Sequence, residues 1–177
     1  MNVIHSGPIL SQDQQHLLDL NFTPDEIKGV MWSIPEDKAP GLDDFNSCFY
    51  KAAWEIVGSD VVKAVRDIFA NATLLKSWNT TAITLIPKVA TPNTPGEYCP
   101  ISCCNVIYKC ISKLISRKLR HVQPSIISPM QGAFIEGKSI LHNIFLYQDI
   151  VKHNGWKNCS PSFLLKIDLR KAYDTLD

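Results

Sequence analysis

The residue types with the most chemistry in them come late in the chain, in Phe163-Leu164-Leu165-Lys166-Ile167-Asp168-Leu169-Arg170-Lys171-Ala172-Tyr173-Asp174. An apolar run delivers a carboxylate, Asp168, at its end, and an aromatic ring, Tyr173, follows five residues later. Magnesium takes hard oxygen ligands, and two-metal phosphoryl transfer gathers several carboxylates around one point. Asp168 suits the first member of such a set. The sequence stops at Asp177 before others follow, so the expectation is a metal-binding carboxylate whose site is incomplete within these residues.

What must position Asp168 is a strand. Ser162 to Ile167 is apolar except for Lys166 and predicts a buried strand ending at the carboxylate, after an exposed turn from Gly155 to Pro161. The rest of the chain has core-forming content. Of 177 residues, 45% are hydrophobic and 20% charged, which argues against disorder and for one domain or a piece of a larger one. No run of about eighteen apolar residues occurs, so no membrane span is expected. Met1-Asn2-Val3-Ile4-His5-Ser6 has neither the basic nor the apolar region of a secretory signal, and an intracellular location, nucleus or cytoplasm, follows as the expectation. Cys48, Cys99, Cys103, Cys104, Cys110 and Cys159 include no Cys-x-x-Cys pair and no histidine at zinc-finger spacing, so free thiols are expected.

The net charge of +1 hides an asymmetry. Residues 1–60 hold ten acids and three bases, −7, whereas residues 61–177 hold fifteen bases and seven acids, +8. That fits a nucleic-acid partner for the second part, and equally a scatter of surface patches.

Thr23-Pro24-Asp25-Glu26 is a helix start: threonine caps, proline suits the first turn, and Glu26 closes a capping box. That helix is predicted to run to about Ser33, with Ile27, Val30, Met31 and Ile34 on one face. Pro35 and Pro40-Gly41 punctuate a loop up to Asn46. A second helical region is predicted from Ser47 to Asn71, interrupted near Gly58-Ser59, with Phe49, Ala53, Ile56 and Val57 on the inner face of its first piece. Thr80 to Pro87 alternates, is rich in β-branched residues and predicts a strand; the proline-rich stretch after it reads as a partly extended loop. A long helix from Val106 to Val122 follows, its apolar face including Ile115 and Leu119, and another from about Ser139 to Val151. Helices outnumber strands, which makes the fold class α+β.

The long helix carries Lys109, Lys113 and Arg117 four residues apart, with Lys118 and Arg120 beside them and no acid. Two readings stay open here: a solvated helix surface, or a face that tracks phosphates.

Six segments in order resemble the reverse transcriptase of plant non-LTR (LINE-type) retrotransposons. They are Phe22-Thr23-Pro24-Asp25-Glu26-Ile27, Asp37-Lys38-Ala39-Pro40-Gly41, Leu85-Ile86-Pro87-Lys88, Tyr98 to Asn105, Gln131-Gly132-Ala133-Phe134-Ile135 and Lys166 to Asp174, and they cover the chain from about Val3 onward. The resemblance implies part of a right-hand polymerase. Residues 1–160 would hold the mostly helical fingers and what precedes them, and 161–177 the first palm strand and the start of the next helix, the palm being truncated. It also implies that Asp168 is the first catalytic aspartate, binding Mg2+ with help from the Leu169 carbonyl, and that RNA template and DNA primer are the partners. Tyr173 would lie beneath the incoming sugar, Lys88 would meet the incoming triphosphate, and Asp174 would be structural. Gln131, Ala133, Phe134 and Gly137 resemble an insertion near template and primer, where packing and contact are both open.

The chain also departs from the family's pattern. Cys99 stands where an arginine usually grips the triphosphate, and a thiol offers neither the charge nor the donor fork. Pro40-Gly41-Leu42-Asp43-Asp44 replaces Pro-Gly-Pro-Asp-Gly, Lys138 replaces an arginine, and His142 an aspartate. These substitutions suggest a copy no longer under selection. The Tyr-Ala-Asp-Asp box expected after Asp168 is not reached. The functional expectation is therefore a reverse-transcriptase portion inactive by itself, with a non-catalytic nucleic-acid-binding remnant using residues 109–120 as the alternative.

Overall fold

The computed structural model describes residues 7–153 together with Leu165 and Ile167. Helices α1 (Gln12–Asp19), α2 (Pro24–Trp32), α3 (Ser47–Ala52) and α4 (Trp54–Asn71) precede a two-stranded ribbon, β1 (Thr81–Pro87) and β2 (Tyr98–Cys104). Then come α5 (Val106–Ile126) and α6 (Ile140–His153). The architecture is α+β. It divides into two compact units, Met1–Ile127 and Ser128–Asp177.

In the first unit α2 forms as its cap dictates. Thr23 Oγ1 accepts from the Glu26 N–H at 3.2 Å, and the Glu26 carboxylate accepts from the Thr23 N–H at 2.7 Å. That backbone bond, helped by Lys118 and Arg117, holds the Glu26 carboxyl below its ordinary value against some desolvation. Phe22 and Ile27 flank the cap and are both buried, the arrangement of a hydrophobic staple. Ile27, Val30 and Met31 then face the core, each contributing roughly 1.5–3 kcal/mol by burial. Opposite them stand Val61, Val65 and Ile68 of α4 and Val106, Cys110 and Leu114 of α5.

The break between α3 and α4 falls at Ala53, not at Gly58-Ser59. Gly58 is buried inside α4 because the Trp54 indole lies on it; an added Cβ would meet Trp54 Cε2 at 2.7 Å. Glycine serves here for close approach rather than as a breaker. Moving the break changes the facing, and Ile56, expected in the core, is 81% exposed.

The ribbon contains a strand where a partly extended loop was expected. β2 pairs antiparallel with β1 from Thr81↔Cys104 to Pro87↔Tyr98, and Pro100 sits opposite Leu85. A proline is tolerated because each strand of a two-stranded ribbon is an edge. α5 continues through Pro124 to Ile126, where Gln14 Nε2 donates to Ser125 Oγ at 2.6 Å. Ile115 and Leu119, placed on its apolar face by spacing, are exposed; the buried stripe is Val106, Ile107, Cys110, Ile111, Leu114 and Val122. Five cysteines among the described residues are free thiols. No helix among the described residues is long and apolar enough to cross a membrane.

In the second unit α6 occupies nearly the predicted span. Of the expected strand Ser162–Ile167, the described residues are Leu165 and Ile167; both lie outside any strand and are exposed. A strand needs a hydrogen-bonded neighbour, and the one sheet among the described residues is the β1–β2 ribbon. The Gly155–Pro161 turn lies outside the described residues.

Candidate nucleotide and nucleic-acid site

Asp168, Leu169, Tyr173 and Asp174 lie outside the described residues. Among the described residues no group of three or more His, Cys, Asp or Glu side chains is gathered so as to hold a metal ion.

The β1–β2 ribbon positions Lys88. Its N–H donates to the Glu97 carbonyl at 2.7 Å, which extends the strand register one step past Pro87↔Tyr98. Because Ile86 pairs with Cys99, Lys88 and Cys99 share a face of the ribbon on adjacent strands. The Lys88 ammonium is exposed and donates to the Gly96 carbonyl at 3.1 Å. The connecting loop is ordered by Glu97, whose carboxylate accepts from the N–H groups of Asn93 (2.6 Å) and Thr94 (3.1 Å). Those bonds hold its carboxyl below the usual value.

The basic stripe of α5 is engaged with distant backbone. Lys109 Nζ donates to the Ala39 carbonyl at 2.7 Å and Lys113 Nζ to the Ser33 carbonyl, the C-cap of α2, at 2.8 Å. Lys118 donates to the carbonyls of Leu18 and Leu20 at the end of α1 and lies 4.2 Å from the Phe22 ring centroid. Cations suit helix C-termini, where carbonyls lack intrahelical partners. Arg117 is exposed beside a cleft of about 460 Å³ lined by Leu17, Phe22, Leu114 and His121.

Gln131 in the second unit closes a turn: its N–H donates to the Ser128 carbonyl at 3.0 Å and its Nε2 to the Ala133 carbonyl at 3.2 Å. Next to it Phe134 is 92% exposed with φ +63°. A bulky residue in the left-handed region is costly, and such outliers cluster at working sites. Gly137 has φ +77°, a conformation glycine adopts without penalty. Lys138 Nζ donates to the Ser128 carbonyl at 3.0 Å.

One junction was not legible beforehand. Asn105, the N-cap of α5, is 3% exposed; its Nδ2 donates to the Ser77 carbonyl at 3.1 Å, while its Oδ1 has no conventional donor. Gly41 lies directly on it. A Cβ at Gly41 would stand 2.6 Å from Asn105 Cα and closer still to its N and Oδ1. With the Lys109 bond to Ala39, this fastens the Pro40-Gly41 loop to the start of α5. Two of the six motifs thus meet in space.

A family model described as Reverse transcriptase (RNA-dependent DNA polymerase) matches residues 86–177. The chain is also similar to the transposon TX1 uncharacterized 149 kDa protein of Xenopus laevis, with 28% identity over 170 residues. That alignment takes in 96% of this chain and 13% of the relative's length.

Proposed function

This chain belongs to the reverse transcriptase (RNA-dependent DNA polymerase) family, and from that premise we propose that it is part of a LINE-type retrotransposon polymerase that makes no DNA by itself. The observation that carries this is the family match, which spans both Lys88 and Asp168. Residues 1–160 would be fingers and preceding region, and 161–177 the first palm strand and the following helix start. Asp168 and the Leu169 carbonyl would hold Mg2+. When bound, the ion supplies charge stabilisation to the attacking 3′ oxygen and the departing pyrophosphate. Tyr173 would sit under the sugar of the incoming nucleotide. Lys88 would exchange its Gly96 carbonyl for a phosphate oxygen, for which a point cation is well suited. RNA template and DNA primer are the proposed nucleic acids, with Gln131 and Phe134 near them.

One feature of these residues supports the proposed inactivity. Cys99 shares the ribbon face with Lys88 where the family pattern would place an arginine. The test is primer extension with the purified chain, an RNA template, dNTPs and Mg2+. No product is expected. Metal-dependent synthesis that Asp168→Ala abolishes would refute the proposed inactivity.

The rival reading, non-catalytic nucleic-acid binding through residues 109–120, is favoured by the exposure of Arg117. Against it, Lys109 and Lys113 each already hold a carbonyl. Under that reading RNA or duplex binding falls steeply with salt as counterions are released. Absence of binding at low salt, or no change on replacing Lys109, Lys113 and Arg117, removes it.

A further inference from the structure

The loop after Gly41 and the start of α3 raise an aromatic group to the surface. Phe45 and Phe49 are 45% and 39% exposed, with ring centroids 4.4 Å apart and planes 30° apart. The buried ring of Tyr50 backs them, 5.4 Å from Phe49 and nearly perpendicular to it. Leu42, three residues before Phe45 and also exposed, lines a cleft of about 370 Å³ that Asp43, Ser77, Trp78, Thr80 and Asn105 complete.

The presentation is fixed by the turn beneath. Asp43 Oδ1 accepts from the Phe45 N–H at 3.2 Å, the Asp44 N–H donates to the Gly41 carbonyl at 3.3 Å, and Asp44 has φ +58°. A pre-ordered surface loses little conformational freedom on binding.

We propose that Leu42, Phe45 and Phe49, edged by Asp43 and Asp44, form a docking surface for an arginine-rich protein segment. Charge selects the partner. Between Lys38 and Lys51 the chain has these two acids and no base. Lys51 is already held by Glu36 (3.1 Å) and the Ile34 carbonyl (2.9 Å), and Lys109 by the Ala39 carbonyl; Lys38 and Asp37 are exposed beside each other. Burial, with the charge of Asp43 adding to it, pushes the Tyr50 hydroxyl up to about 12.

Two alternatives fit less well. Polyphosphate backbones are repelled by Asp43 and Asp44, which disfavours nucleic acid on this face. Rings 4.4 Å apart leave no room for a cation between them, so the pair offers an outer face and not an enclosing cage. A guanidinium stacks flat on such a face and forks onto a neighbouring carboxylate, which an ammonium does not.

The test uses the whole chain and short labelled peptides, arginine–glycine, lysine–glycine and glutamate–glycine, read by fluorescence anisotropy at low and moderate salt. The arginine peptide is expected to bind tightest and the glutamate peptide not at all. Phe45→Leu keeps the apolar volume and removes the ring; it is expected to weaken binding by roughly tenfold. The double variant Asp43→Asn, Asp44→Asn keeps the turn, since asparagine accepts the same bond and tolerates positive φ. It should weaken arginine-peptide binding by a similar factor and flatten the salt dependence, with an unchanged unfolding midpoint. No peptide binding, or binding indifferent to both variants, overturns the proposal. So does RNA binding lost in Phe45→Leu, or self-association lost in Phe45→Leu, since each assigns the surface another occupant.

Discussion

Gly41→Ala tests whether the loop of residues 35–46 is locked to α5 as the geometry requires. The added methyl would lie 2.6 Å from Asn105 Cα and nearer still to its backbone N and side-chain Oδ1. Ordinary contact begins near 3.4 Å, so about an ångström of separation must be found. Two of the three atoms met are backbone at the start of a 21-residue helix, which does not yield. The loop must lift instead. Overpacking of this kind costs about 1–3 kcal/mol. Lifting also strips Lys109 of the Ala39 carbonyl, a charge-assisted bond discounted to about 1 kcal/mol for its partial exposure. A loss of roughly 2–4 kcal/mol should lower the thermal midpoint by about 5–15 °C. Gly96→Ala is the control: nothing lies within 4 Å of its Cβ position, and a change within about 0.5 kcal/mol is expected. Unfolding followed by circular dichroism compares the two. If Gly41→Ala matches the parent, or Asn105→Ala fully restores it, the backbone clash is not the cause and the reasoning fails.

Gly58→Ala should also destabilise, by about 1–2 kcal/mol net, because the cost of overpacking against the rigid Trp54 ring exceeds the helix-propensity gain; urea unfolding followed by tryptophan fluorescence reads it, and a stabilised variant contradicts the contact. Lys113→Met should cost about 1 kcal/mol by leaving the α2 C-cap carbonyl without its cation, while leaving low-salt RNA binding unchanged; a stability equal to the parent would deny the cap. The Cys110 thiol is pushed up to about 12 by burial, partly offset by Arg117 and Lys113. Its folded value lies above its ordinary 9.0, so its contribution is full below pH 9 and is lost as pH rises toward 12. Stability measured over that window should fall less in Cys110→Ala than in the parent. At pH 8 a thiol reagent should modify the exposed Cys48 well before Cys110.

Local signals were the legible part of this fold. The capping box at Thr23 and Glu26 is satisfied by atoms three residues apart, so its residues alone specify it. The strand at β1 was legible from alternation, but β2 was masked by Pro100, which reads as a strand breaker until the ribbon proves to be all edge. Gly58 was misread for a related reason: glycine marks either a break or a close approach, and only the position of Trp54 decides which. The stripe on α5 shows the limit most clearly. Its spacing was visible, yet the carbonyls that Lys109, Lys113 and Lys118 hold lie 70 to 100 residues away in sequence. Whether a lysine row is a free phosphate-binding face or a set of internal caps depends on tertiary placement, which periodicity does not carry.

The same distinction bears on the ribbon. Register places Lys88 and position 99 on one face of adjacent strands, so a basic residue at 99 would stand beside Lys88 with no further folding requirement. Two cations so arranged could divide the charge of a triphosphate. With cysteine there, Lys88 faces it without that neighbour, and its ammonium rests on the Gly96 carbonyl instead. Nothing in the ribbon's hydrogen bonding depends on the side chain at 99: the strand pairs through its backbone, and Cys99 is a half-exposed free thiol. The fold therefore places no structural demand on arginine at this position. A change of side chain there leaves the ribbon's backbone pairing untouched, so position 99 can vary without cost to the fold.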